Sequence, residues 1–244
     1  MQKIHHYFNS SVHHIKNIKL NTPIAIIIGA IIIAGGIVTY GFITTPDSSS
    51  PVKMFAGKVI DKTDFVDGKS NGNIFMIEYS DTECPYCTSV HSTLKQLRTE
   101  YSDKIGFVYR HFPLTQIHPH AFDEATAITC AGTIAGEKKY YEYIDTLFGY
   151  KVSNKTTQLP ATGKEDTARG IGIDTNAFAS CLASNEAKQI VNDSLADGVK
   201  AGVQGTPTTF LLKKVRKGYE IIAVIDGARP YEYFKAAIEE ALGR

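Results

Sequence analysis

The stretch Ile74-Phe75-Met76-Ile77-Glu78-Tyr79-Ser80-Asp81-Thr82-Glu83-Cys84-Pro85-Tyr86-Cys87, continued by Thr88-Ser89-Val90-His91-Ser92-Thr93-Leu94-Lys95-Gln96-Leu97, governs the reading of everything after it. Ile74 to Ser80 is a nearly continuous apolar, β-capable run, which suits a strand buried on both faces. Glu78 is the exception inside it. Val90, Leu94 and Leu97 then recur at helical spacing up to about Glu100, and Ile105 to Arg110 reads as a second strand. The two cysteines therefore sit at the first turn of a strand–helix–strand unit.

That position suits thiol chemistry. A cysteine is a nucleophile only as thiolate, and a helix N-terminus supplies unpaired N–H groups and positive potential to hold the anion. Pro85 fits the first helical turn, where its missing N–H costs nothing. Cys87, two residues on, comes round the turn to within disulfide reach and is more buried. Cys84 is thus expected to attack and Cys87 to resolve, with Pro85 and Tyr86 tuning the pair. Lowering the Cys84 pKa by about three units would shift the potential by about 90 mV toward a stronger oxidant. The competing reading of one C-x-x-C is half of a zinc site, which needs a second ligand pair. No second C-x-x-C follows, and His118-Pro119-His120 is too tight to supply one. No metal or cofactor is expected.

The remainder of the domain alternates in kind. From Pro119 to about Lys200 the pattern is helical, with Ala121 to Ala135, Lys138 to Phe148 and segments around Ala168, Ala177 and Val191 separated by glycines, Pro160 and Asn/Asp caps. Strands return at Thr208 to Leu212 and Tyr219 to Ile225, and an amphipathic helix runs from Pro230 to about Leu242. Strands on both sides of a helical block predict one α/β core interrupted by a helical insertion at about 112–200, the whole spanning 67–244.

Composition narrows the setting. The chain has 244 residues and a formal net charge of +1, with no basic stripe of the kind that binds nucleic acid. Pro23 to Ile43 carries no charge and is long enough to span a bilayer. Residues 1–22 hold Lys3, Lys16 and Lys19, four histidines and no acid, so the positive-inside rule puts the N-terminus in the cytoplasm and the domain outside. A cleaved signal peptide is the alternative, but the apolar run is long for one and ends without a small-x-small site. Thr45 to Pro51 is polar, small and proline-bounded like a flexible tether, and the linker is placed at 44–66.

Glu78-Tyr79-Ser80-Asp81 leading into Cys84-Pro85-Tyr86-Cys87, together with Gly202-Val203-Gln204-Gly205-Thr206-Pro207-Thr208, resembles the DsbA-like thiol–disulfide oxidoreductases over about residues 67 to 244. The resemblance implies a thioredoxin fold with an inserted helical domain. It further implies a cis Pro207 facing the cysteines, a Thr206 that meets substrate backbone, and a buried acid, Glu78, that relays the Cys87 proton; a strand-edge Glu78 paired to a lysine is the other reading. Ile117-His118-Pro119 is similar to the family's entry into the insertion, with His118 a cap or packing residue. Cys130 and Cys181 both fall on predicted helices; unpaired thiols are a liability in an oxidising compartment and several members of the family similarly carry a second disulfide there, so a structural disulfide is expected, with two buried free thiols the alternative.

The expected function is therefore an extracytoplasmic oxidoreductase that introduces disulfides into secreted or surface proteins through a mixed disulfide at Cys84. By analogy with the family, a membrane reoxidase of the DsbB or vitamin K epoxide reductase (VKOR) type would restore it. A reductase or isomerase on the same fold, and a chaperone-like binder with a structural cysteine pair, are the competing readings.

Overall fold

The computed structural model describes residues 52–243. The expected anchor and residues 44–51 of the expected tether lie outside the described residues. Among the described residues no helix is long and apolar enough to cross a membrane.

Five strands form one sheet in the order β1-β3-β2-β4-β5: β1 Val66–Gly68, β2 Ile74–Ser80, β3 Gly106–His111, β4 Thr208–Val215 and β5 Gly218–Asp226. β2 and β3 run parallel, and every other pairing is antiparallel. A right-handed crossover through helix α1, Pro85–Tyr101, is the expected link between the parallel pair. The predicted insertion is built of α2 Ala121–Ala135, α3 Glu137–Asn154, α4 Gly163–Gly170, α5 Thr175–Ala183 and α6 Asn185–Ala201. After the β4–β5 hairpin, α7 Tyr231–Ala241 returns over the sheet.

β2 is central, and its two faces meet different cores. Ile74 and Met76 pack with Val90, Leu94 and Leu97 of α1 and with Phe234 and Ile238 of α7. Phe75, Ile77 and Tyr79 join Val108, Phe112, Phe210 and Leu212 on the other side. A third core is made chiefly by α2 and α3 of the insertion, with Tyr140, Tyr143, Ile144, Leu147 and Phe148 nearly solvent-free, and Cys84, Cys87 and Tyr109 pack into it. α6 comes so close to the sheet that a Cβ at Gly198 would lie 2.4 Å from the Phe112 ring. Gly202 ends α6 at φ 89°, a conformation that only glycine adopts without strain, and turns the chain toward β4.

The tether expected at 44–66 does not run free to residue 66. From Lys53 the chain is pinned to the outer edge of β5: the Phe55 N–H donates to the Tyr219 carbonyl at 2.8 Å, and the Ile221 N–H donates to that of Lys53 at 2.8 Å. Phe55 is buried against Phe210, their rings 5.1 Å apart. Further on, the Lys58 N–H bonds to Asp197, and Arg110 donates to the Lys58 carbonyl at 3.0 Å. Arg110 is itself sealed between Asp64 and Asp197. An irregular segment whose apolar anchors, Phe55, Ile60 and Phe65, recur at neither strand nor helix spacing resembles a linker in sequence.

Candidate active site

The site is assembled by register. Tyr79 of β2 lies opposite Thr208 of β4, so the end of β2 and the beginning of β4 share one edge of the sheet. The loop leaving β2 carries Cys84, and the loop entering β4 carries Thr206 and Pro207. The Thr206–Pro207 peptide bond is cis. Cys84 is the N-cap of α1, with extended backbone and Pro85 in the first turn. Its Sγ lies 3.3 Å from the Thr206 carbonyl oxygen, to which the thiol donates.

The two thiols are reduced, and their surroundings differ. Cys84 is 4% exposed and Cys87 is fully enclosed. A hydrogen bond from the Cys87 thiol lowers the Cys84 pKa to about 5 against the opposing effect of burial. Thr206 and the N–H groups of Cys87 and Tyr86 at the helix terminus help. The Thr206 hydroxyl, buried, has no other partner. Cys87 is pushed well upward by burial first and then by the charge that Cys84 carries, with Glu78 adding to it; the Asp81 N–H, 3.5 Å away, is a weak counterweight. Tyr86, 66% exposed, stands beside this pair at the surface.

Glu78 lies on β2 next to Tyr109 of β3 and on the same face as Met76, beneath α1. Burial raises its carboxyl to about 7. It is not at a sheet edge, since β2 is flanked by β3 and β4, and the cation that acts on it is Arg98 rather than a lysine.

Polar contacts between core and insertion hold the approach to Cys84. The Asp81 carboxylate accepts from the N–H of Glu83 at 2.8 Å and of Leu114 at 2.7 Å, and lies 2.9 Å from His118 Nδ1. Glu83 accepts from the His120 N–H at 2.6 Å. Lys151, wholly buried, bonds to Glu124 and to the Thr82 carbonyl. His118 thus packs against the loop and His120, its neighbour but one, occupies the N-cap position of α2. Sequence spacing does not mark Asp81, Glu83, Glu124 or Lys151 for these contacts, because the partners that join core to insertion, and Glu124 to Lys151, are 27 to 69 residues away.

Cys130 and Cys181 are joined by a disulfide that staples α2 to α5, apart from the Cys84 pair. Beside Pro207 a groove of about 590 Å³ is lined by Gln204, Gly205, Thr206, Asp226 and Lys53, the last supplied by the segment on the β5 edge. No three His, Cys, Asp or Glu side chains cluster for a metal ion among the described residues.

A five-stranded mixed sheet with a dithiol at the N-terminus of its first crossover helix, opposed by a cis proline, defines the thioredoxin-like class. The chain belongs to the thioredoxin family, whose model matches residues 61–240. Among solved structures, alpha-DsbA1 of Wolbachia pipientis superposes with a TM-score of 0.64 at 23% identity, covering 76% of this chain and 94% of its own. The thiol-disulfide exchange protein alpha-DsbA2 of the same organism gives 0.61 at 19%, covering 75% and 89%. The catalytic domain of Proteus mirabilis ScsC gives 0.60 at 19%, covering 75% and 92%. In sequence, the Na(+)/H(+) antiporter NhaA 1 of Mycobacterium sp. (strain KMS) is 29% identical over 171 residues, 69% of this chain and 27% of that protein. The chain thus matches only about a quarter of the length of such curated relatives.

Proposed function

We propose that this protein is a thiol–disulfide oxidoreductase that oxidises dithiols in substrate proteins, working on the extracytoplasmic face of a membrane to which Pro23–Ile43 holds it. The observation that carries the reading is the opposition within the pair: Cys84 at about 5 and Cys87 pushed well above its ordinary value. A stabilised Cys84 thiolate is a good leaving group and favours the reduced form of the enzyme, so its disulfide is readily passed on.

The steps follow from that asymmetry. A substrate thiolate attacks Cys84 Sγ of the disulfide form, and Cys87 leaves with the electron pair and takes a proton from Glu78. The second substrate thiolate attacks the substrate sulfur of the mixed disulfide. Cys84 leaves as thiolate, the substrate keeps a new disulfide, and two electrons remain on the enzyme. A membrane reoxidase of the DsbB or VKOR type would remove them, and a shared membrane would raise the effective concentration of the two. Ion transport is not part of the proposal, because the likeness to the antiporters covers so small a share of them.

The test is the reduction potential of the Cys84–Cys87 pair in the full-length protein, equilibrated in glutathione buffers. A value near about −120 mV is expected, and one near about −270 mV would reverse the proposed direction of electron flow.

A further inference from the structure

Cys87, His91, Leu94 and Arg98 fall at i, i+4, i+7 and i+11 of α1, a single stripe of the helix. The stripe overlies Glu78. Between them is a cavity of about 20 Å³ whose walls include Glu78, His91, Arg98 and Tyr109. That volume accommodates about one water molecule. The Tyr109 hydroxyl, buried and unpaired, belongs to the same wall. Glu78, although on the central strand, keeps part of its surface accessible.

His91 stands on the cavity wall and also reaches outward. Its ring stacks on Phe148 at 4.6 Å, and Nε2 is 3.0 Å from Asp145 Oδ1, at ion-pair distance but out of line for a hydrogen bond. Asp145 keeps 19% of its side-chain surface in solvent and also meets Arg98 at 2.5 Å and Lys95 at 3.1 Å. Lys95 is more than half exposed. A chain of proton-carrying groups therefore leads from the acid beneath Cys87 to the surface.

We propose that His91 is the relay through which Glu78 exchanges its proton with solvent, across the cavity on one side and by way of Asp145 on the other. This rests on the Cys84–Cys87 pair and Glu78 acting as proposed above. When a mixed disulfide at Cys84 closes, the Cys87 thiol gives its proton to the Glu78 carboxylate. The Cys87 thiolate then attacks Cys84 Sγ, and the departing thiolate carries off the electron pair. Glu78 passes the proton to His91 through a water in the cavity, and the imidazolium releases it to solvent beside Asp145. Reduction of the enzyme disulfide runs the same route inward.

The charges around His91 suit a transient cation. Burial lowers its pKa, Asp145 of α3 opposes that, and Arg98 and Lys95 of α1 reinforce it. Tyr141 of α3, Tyr109 of β3 and Glu78 of β2 complete the titratable surroundings. Contacts with His91, Arg98 and Lys95 outweigh burial and hold the Asp145 pKa at about 2, so Asp145 is ionised at neutral pH.

The experiment oxidises the reduced full-length protein with excess glutathione disulfide and follows both steps by acid quench and mass spectrometry. His91→Ala and Asp145→Asn should form the Cys84–glutathione mixed disulfide at the wild-type rate. Closure should slow about tenfold, less than the roughly 10²–10⁴-fold of a group that transfers the proton directly because Glu78 itself remains, and its pH profile should change. Imidazole should restore closure to His91→Ala alone. Wild-type closure rates and profiles in both variants would overturn the relay, as would a slowing with an unchanged profile that imidazole does not rescue. Should His91→Ala fail to fold, the surface variant Asp145→Asn decides by the same rate and profile. If the wild type itself forms no mixed disulfide at Cys84, the proposed function falls as well; if it does so normally, only the relay is lost.

Discussion

The Lys151 ammonium lies 2.6 Å from the Glu124 carboxylate and 2.8 Å from the Thr82 carbonyl oxygen, tying two helices of the insertion to the loop two residues ahead of Cys84. Both charged groups are sealed from solvent. Removing one partner leaves the other charge uncompensated. Lys151→Met should therefore destabilise the domain by about 3–5 kcal/mol, and adding Glu124→Leu should recover most of it. Urea unfolding of the two variants at pH 7 measures both.

Cys84 gives the reduced protein a pH-dependent advantage over its disulfide form. Its folded pKa lies below the unfolded value, so the stabilisation is complete above pH 9 and is lost as pH falls through about 5. The unfolding temperature of the reduced protein should rise relative to the oxidised form from pH 5 upward, and Cys84→Ser, which forms no such disulfide, should lack the rise that the reduced wild type shows over that range. The thiolate absorbance near 240 nm should titrate with a midpoint near 5 in the wild type.

Glu78 acts with the opposite sign. Its folded pKa is raised to about 7, so the neutral form is favoured and stability is lost as pH rises from the unfolded value through 7. Glu78→Gln should be more stable than the wild type at pH 8 and differ little at pH 4. It should also bring the Cys87 pKa down, because a charge that disfavours the Cys87 thiolate is gone. Denaturant midpoints at the two pH values and an alkylation titration of Cys87 in Cys84→Ser test these effects.

Replacing Cys130 and Cys181 together by alanine opens a loop whose ends are 51 residues apart. The chain-entropy model gives a loss of about 4 kcal/mol. The redox pair is built on α1 and the β4 loop, so the potential of Cys84–Cys87 should stay within about 10 mV of wild type, which is about 0.5 kcal/mol for a two-electron couple. A large change in that potential would show that the insertion sets the chemistry of the pair.

Much of this was written locally. The Ile74–Ser80 strand is legible because apolar side chains are wanted on both faces, and α1 because Val90, Leu94 and Leu97 keep helical period. Three-residue β1 is too short for any period to show. His91 and Arg98 look like the polar face of an amphipathic helix. Their burial depends on Asp145 and Tyr141 of α3, which no local pattern announces. Arg110 was likewise read as the end of a strand, while its neutralisation by Asp64 and Asp197 is decided wholly by tertiary placement.

Cys84 and the Thr206 carbonyl it touches are 122 residues apart in the chain, and Met54 bridges to Glu220 across a still longer span. Contacts of that separation are slow to form, whereas the helices of the insertion need only near neighbours. During synthesis the C-x-x-C emerges well before the loop that faces it. The nascent chain thus carries two cysteines with no active site around them, and reactivity of the mature kind arises only once β4 has joined β2. A young molecule is in that interval a client for disulfide chemistry before it is a catalyst of it.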